Sequence, residues 1–338
     1  MRGILVVEPE RRSEVITHRW PEDHSARIQA LQEAAGSLPL YRRYVAGEFR
    51  EVWMELAELG DAIWLDPVAA DALAVCYETM HRAKTNIEIL VGALEAAGYQ
   101  FRPAVWSPYW RRTQASKEWI ESRDEEAQSH LAVAQEPLTN RPGPLRELIN
   151  AERKRLLVDF TKHANAFHEE RLGIVRPLVP ANSPSWIRKL TSRAGDLPLS
   201  LRAWHSTVGG VNLVGHHPEL APPGVESDPL FVAPLRGVVD VCMAWQEDQA
   251  DDKERPPFQM PISPPRSVKA GISAEGTHYV VTLPSATLDS VVENEPHGLC
   301  FVDYFRLAFE WGGFPGYADM PGHVPALVYR LKEKLLPF

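Results

Sequence analysis

Two adjacent glycines, Gly209-Gly210, stand between a helix-like run and an apolar strand-like run, and no other feature restricts the folding of this chain as tightly. Before them comes Leu197-Pro198-Leu199-Ser200-Leu201-Arg202-Ala203-Trp204, and after them Val211-Asn212-Leu213. A proline at 198 fits the first turn of a helix, where its missing N–H has no partner to lose. The glycine pair supplies the positive φ that stops a helix before a strand. The run predicts helix, tight turn and strand. Leu197, Leu201, Trp204 and Leu213 face a core, and Gly209 and Gly210 serve the backbone between them.

The region upstream is helical by the same reasoning. From Leu73 the apolar positions Cys76, Met80, Ala83, Ile87, Leu90 and Leu94 recur in alternating steps of three and four, with Asp66-Pro67 as a start signal and Gly98 as a stop. Val45, Phe49, Val52, Leu56 and Leu59 repeat that alternation, and the short Gly60 to Leu65 connection predicts an antiparallel helical hairpin. Cys76 and Met80 read as core, since both are apolar side chains at helical spacing. Phe101, Trp106, Tyr109 and Trp110, set among Arg102, Arg111 and Arg112, read as a loop capping the hairpin rather than a stacking platform. A helix with an acidic face is expected over Ser116 to Gln135, and the prolines from Pro137 to Pro144 then stop it.

The chain accordingly divides into a helical N-terminal domain, 1–138, a linker, 139–144, and an α+β domain, 145–338, with helices flanking a small, mainly antiparallel sheet. That second part is expected to open on a long amphipathic helix carrying Leu145, Leu148, Ile149, Leu156, Leu157, Phe160 and Phe167 on one side. A short helix follows from Asn182-Ser183-Pro184-Ser185-Trp186. The region from Leu213 to about Leu283 reads as strands with long loops, and final helices are placed near Phe301 to Trp311 and Pro325 to Leu336.

The pattern LPxSxRxW, closing on GGVNL, resembles the helix-to-strand core of the SUKH superfamily, the bacterial toxin-immunity proteins related to the yeast cell-wall assembly regulator. A second aromatic helix, Phe301-Val302-Asp303-Tyr304-Phe305-Arg306, ends at Gly312-Gly313 and is similar to the late aromatic helix of that superfamily. Strand-like runs at Leu230 to Leu235 and His278 to Leu283 lie between the two. The chain departs from the pattern in the prolines between Pro256 and Pro265 and in its N-terminal extension. The resemblance implies a SUKH-like domain acting as a non-catalytic protein-binding module, an immunity or regulatory protein that masks a toxin or effector.

Charge narrows the partner. Thirty-six basic against 45 acidic residues leave a net charge of -9, which argues against a nucleic-acid backbone and suits a basic protein. No stretch reaches the length of a membrane span, and three widely spaced cysteines, Cys76, Cys242 and Cys300, fit a reducing compartment, so a cytoplasmic protein is expected. Phosphate-loop, dinucleotide, zinc-protease, redox and nucleophile-elbow motifs are all missing, and no catalytic, metal or cofactor-binding residue is assigned. His216-His217 with Glu219 reads as a polar loop, and His163, His168, Glu169 and Glu170 as a solvated helix end. The densest polar cluster is Trp245-Gln246-Glu247-Asp248-Gln249-Ala250-Asp251-Asp252-Lys253-Glu254. Carboxylates steer a cationic partner and an aromatic beside them anchors it, so Trp245, Glu247, Asp248, Asp251 and Asp252 form the expected partner-binding surface. The alternative is a hydrolase-like enzyme using Glu293, Glu295 and His297, because a carboxylate beside an imidazole tunes it for acid/base work.

Overall fold

The computed structural model describes residues 21, 24–102, 177–181, 184–220, 226–249, 256–270 and 276–338. The expected linker and the helices placed over Ser116 to Gln135 and Leu145 to Phe167 lie outside them, as do Trp106, Tyr109, Trp110, His163 and His168. The fold is α+β. Helices α1 (His24–Ala34), α2 (Pro39–Val45), α3 (Phe49–Glu58) and α4 (Val68–Ala96) come first. Helix α4 has the predicted limits: Pro67 stands at its N-cap and Gly98 follows its end at φ 82°. Its stripe of Cys76, Met80, Ala83, Ile87, Leu90 and Leu94 is fully buried.

The hairpin partner is where the structure departs from expectation. Gly47, at φ 111°, breaks the Val45-to-Leu59 stripe into α2 and α3, so Val45 and Leu59 are exposed. A left-handed residue cannot continue a helix. Tyr41, Tyr44, Val52 and Leu56 are the side chains that go inward. Asp71 of α4 accepts hydrogen bonds from the Leu40 and Tyr41 amides at 3.0 and 2.7 Å, which satisfies otherwise orphaned donors at the start of α2. Thr79 of α4 accepts from Trp53 Nε1 at 3.0 Å and lies 2.8 Å from the Tyr44 hydroxyl, joining α2, α3 and α4.

Helix α4 also packs on α6 (Leu199–Thr207), the helix read from the 197–204 run. Pro198 is its N-cap, and Gly209, at φ 96°, turns the chain into β3 (Gly210–Asn212). A side chain at 209 would put its Cβ 2.2 Å from the Val179 carbonyl oxygen, so only glycine fits. Trp204 stacks on Phe305 at 4.2 Å and donates through Nε1 to the Gly209 carbonyl at 2.6 Å. One contiguous core runs from Leu31 to Phe338, across the division drawn at residues 138 and 145. Polar bonds cross it too: Tyr99 Oη donates to the Leu213 carbonyl at 2.7 Å, and Trp64 Nε1 to that of Ala286 at 2.8 Å.

The strands form small antiparallel units. They are β1 (Gln100–Phe101) with β4 (Gly215–His216); β2 (Leu178–Val179), β3 and β5 (Phe231–Val232); and β6 (Phe258–Ser263) with β7 (Tyr279–Leu283). Helix α5 (Pro184–Ala194) starts at the predicted proline. Between β5 and β6 the expectation of strands and loops is corrected: Leu235–Asp248 is a helix, α7. Its spacing of Leu235, Val238, Val239 and Cys242 is helical, but the surrounding prolines masked that signal. A short α8 (Arg266–Lys269) follows β6, and α9 (Phe301–Glu310) and α10 (Ala326–Lys332) close the chain. Among the described residues no helix is long and apolar enough to cross a membrane.

Candidate functional site

Trp245, read from sequence as part of a loop, lies in the last turn of α7 and is half-buried, its ring tilted against Phe258 at 5.2 Å. Together they wall a groove of about 940 Å³ whose other sides include Gln249, Thr277, His278 and Asn294. Glu247 and Asp248 are exposed at the same helix end. A carboxylate at a helix C-terminus gains nothing from the helix dipole. Asp251 and Asp252 lie outside the described residues.

A second polar centre was not read from the sequence. Asp228, at φ 52°, and Lys269 of α8 are both buried and form an ion pair. Asp228 also receives Arg266 Nε at 3.3 Å and the Tyr279 hydroxyl at 3.2 Å. Arg266 reaches outward to pair with Asp319, which belongs to the 3-10 turn Pro315–Asp319. Asp319 in turn lies 3.0 Å from Nε2 of His297, whose Nδ1 is 2.6 Å from Glu295. Glu295 is buried and also accepts the amides of His297 and Leu299, at 2.8 and 3.3 Å. Burial lowers the Lys269 ammonium, with Asp228 opposing, and burial raises the Tyr279 and Tyr304 phenols. Burial raises the Asp319 carboxyl, but hydrogen bonds and charges from Arg266 and His297 outweigh it and hold the group below its usual range.

Of the three residues named for an enzymatic alternative, the structure joins Glu295 and His297. Glu293 is directed elsewhere and accepts from the Thr282 hydroxyl at 2.5 Å. Both imidazole nitrogens of His297 face carboxylates, so neither is open toward a substrate. His217 is likewise engaged, 3.1 Å from the Ala97 carbonyl and accepting the Glu219 amide at 3.2 Å, while His216 is exposed on β4. Among the described residues no group of His, Cys, Asp and Glu could hold a metal ion. The three cysteines are free thiols; burial raises all of them, Cys242 and Cys300 to about 11.

Two further buried groups stand apart. His205 of α6 is fully buried without a hydrogen-bond partner on either nitrogen, and burial lowers it to about 3. Asp289 accepts the Ser200 hydroxyl at 2.6 Å and the Val302 amide at the start of α9 at 3.0 Å; burial raises it to about 6. Compared with known proteins, the chain matches no family model, no curated protein and no solved structure.

Proposed function

We propose that this protein is a non-catalytic binding module of the immunity or regulatory kind, which masks a basic toxin or effector by taking part of its surface into the groove beside Trp245. The observation that carries the reading is a half-buried indole lining a groove next to two exposed carboxylates. A half-buried aromatic is a suitable anchor, because little of its freedom remains to be lost on binding. The resemblance of the 197–213 segment to immunity proteins points the same way, as does the occupation of both His297 nitrogens. The net charge of -9 disfavours a nucleic-acid partner, and three free thiols suit a cytoplasmic site.

Binding kinetics against the protein captured from the source cells test the proposal. Reversing Glu247 and Asp248 to Lys should slow association and flatten its salt dependence, since exposed charges act mainly on encounter. Trp245→Ala should leave association nearly unchanged and speed dissociation about tenfold or more, as for a residue worth about 1.4 kcal/mol or more at an interface. Unchanged kinetics in both variants would place the interface elsewhere. Turnover of a substrate abolished by His297→Gln would instead establish the enzymatic alternative.

A further inference from the structure

His297 has a carboxylate within hydrogen-bond reach of each ring nitrogen. A neutral imidazole has one N–H and one lone pair, so it can donate to one carboxylate only. Here Nδ1 is 2.6 Å from Glu295 and Nε2 is 3.0 Å from Asp319, and with both carboxylates ionised only the doubly protonated ring makes both bonds. Charge leads to the same result. Asp228, Glu295 and Asp319 against Arg266 and Lys269 leave one negative charge in a largely buried cluster, and an imidazolium closes the balance. An uncompensated charge in such a place is costly.

We infer that His297 acts as a pH-operated latch that, as imidazolium, fastens the Glu293-to-Leu299 turn to the 3-10 turn Pro315–Asp319. The facing groups are Glu295 on its own turn, Asp319 opposite, and Arg266 of α8 behind Asp319; Asp228, Lys269, Tyr279 and Tyr304 form the floor. On the acid side the latch is closed, and Asp319 remains ionised there because its carboxyl is held low. As pH rises, loss of the ring proton leaves a lone pair facing one carboxylate. The Nδ1 bond to buried Glu295 is the shorter, so the Asp319 side opens.

Nitrogen-resolved spectra of the imidazole and amide exchange, on the full chain from about pH 5 to 8, test it together. In the wild type both ring nitrogens should carry protons at the acid end. As Nε2 loses its proton, exchange of the Tyr317 and Met320 amides, corrected for intrinsic rates, should accelerate roughly fivefold, the size expected for one partly exposed charged bond. Both amides bond within or beside the 3-10 turn. His297→Gln should exchange at the fast level throughout, and so should Asp319→Asn, an exposed substitution that leaves the cluster's floor intact. A ring carrying one proton at the acid end, or a wild-type pH response equal to that of the Asp319→Asn protein, overturns the inference.

Discussion

The aromatic core under α6 and the Asp228–Lys269 pair behind α8 are equally shut off from solvent, yet they are built by opposite means. Under α6, Trp204, Phe301 and Phe305 meet face and edge, and each contact is short-ranged and tolerant of small displacements. Behind α8, Lys269 and Asp228 each offset part of the other's desolvation, and Arg266 and Tyr279 both bond Oδ2 of Asp228. A buried ring loses only its own contacts when it changes. A buried charge that loses its partner leaves that partner stranded, so damage in the cluster spreads.

The largest effect should come from the turn that shapes the aromatic side. Gly209→Val would drive its Cβ into the Val179 carbonyl and force a β-branched residue to φ 96°, so a loss above about 4 kcal/mol is expected. Urea unfolding with soluble yield measures it, and an unchanged midpoint would remove the claim that this turn organises the core. Next comes the cluster. Lys269→Met strands Asp228 and should cost about 3–5 kcal/mol, whereas Lys269→Met with Asp228→Asn should cost less than the single change. Additive losses would mean that the pair is not coupled and that the contrast drawn above fails.

The smallest effect brings pH to the aromatic side. His205 is held down to about 3 from an ordinary 6.5, so the unfolded chain binds the extra proton first, and stability falls as pH drops below about 6.5. By pH 5 the wild type should have lost about 2 kcal/mol relative to His205→Leu. Asp289, raised to about 6, works in the opposite sense, because its folded state takes up a proton more readily below that value. Both proteins carry Asp289, so their difference isolates the histidine. Parallel acid unfolding curves would show that His205 finds a proton-binding partner when folded.

Legibility in the sequence follows the same contrast. Helix α6, its glycine turn and β3 are contiguous, and a local pattern of apolar spacing and backbone permission suffices to read them. The α4 stripe was readable for the same reason. Gly47 escaped because a single glycine within a good apolar alternation looks tolerable until its φ is known, and α7 escaped because prolines flank it. The cluster was out of reach in principle. Asp228 and Arg266 are 38 positions apart and Arg266 and Asp319 are 53, and nothing local distinguishes them from solvated charges. Only the Glu295 and His297 pair, two residues apart, gave a signal. Trp245 was singled out in the sequence, but that it lines a groove needed β6 and β7 beside α7.

Helix α4 supplies a wall to both parts of the chain, to α2 on one side and to α6 on the other. Its Asn86 also exchanges two hydrogen bonds with the backbone of Leu336, Nδ2 donating at 2.9 Å and Oδ1 accepting at 2.6 Å. A polypeptide divided at the proline-rich stretch would therefore yield complementary fragments, each displaying the apolar surface that the other covers. Their reassembly would be a binding reaction with the heat-capacity signature of apolar burial, tighter at room temperature than in the cold.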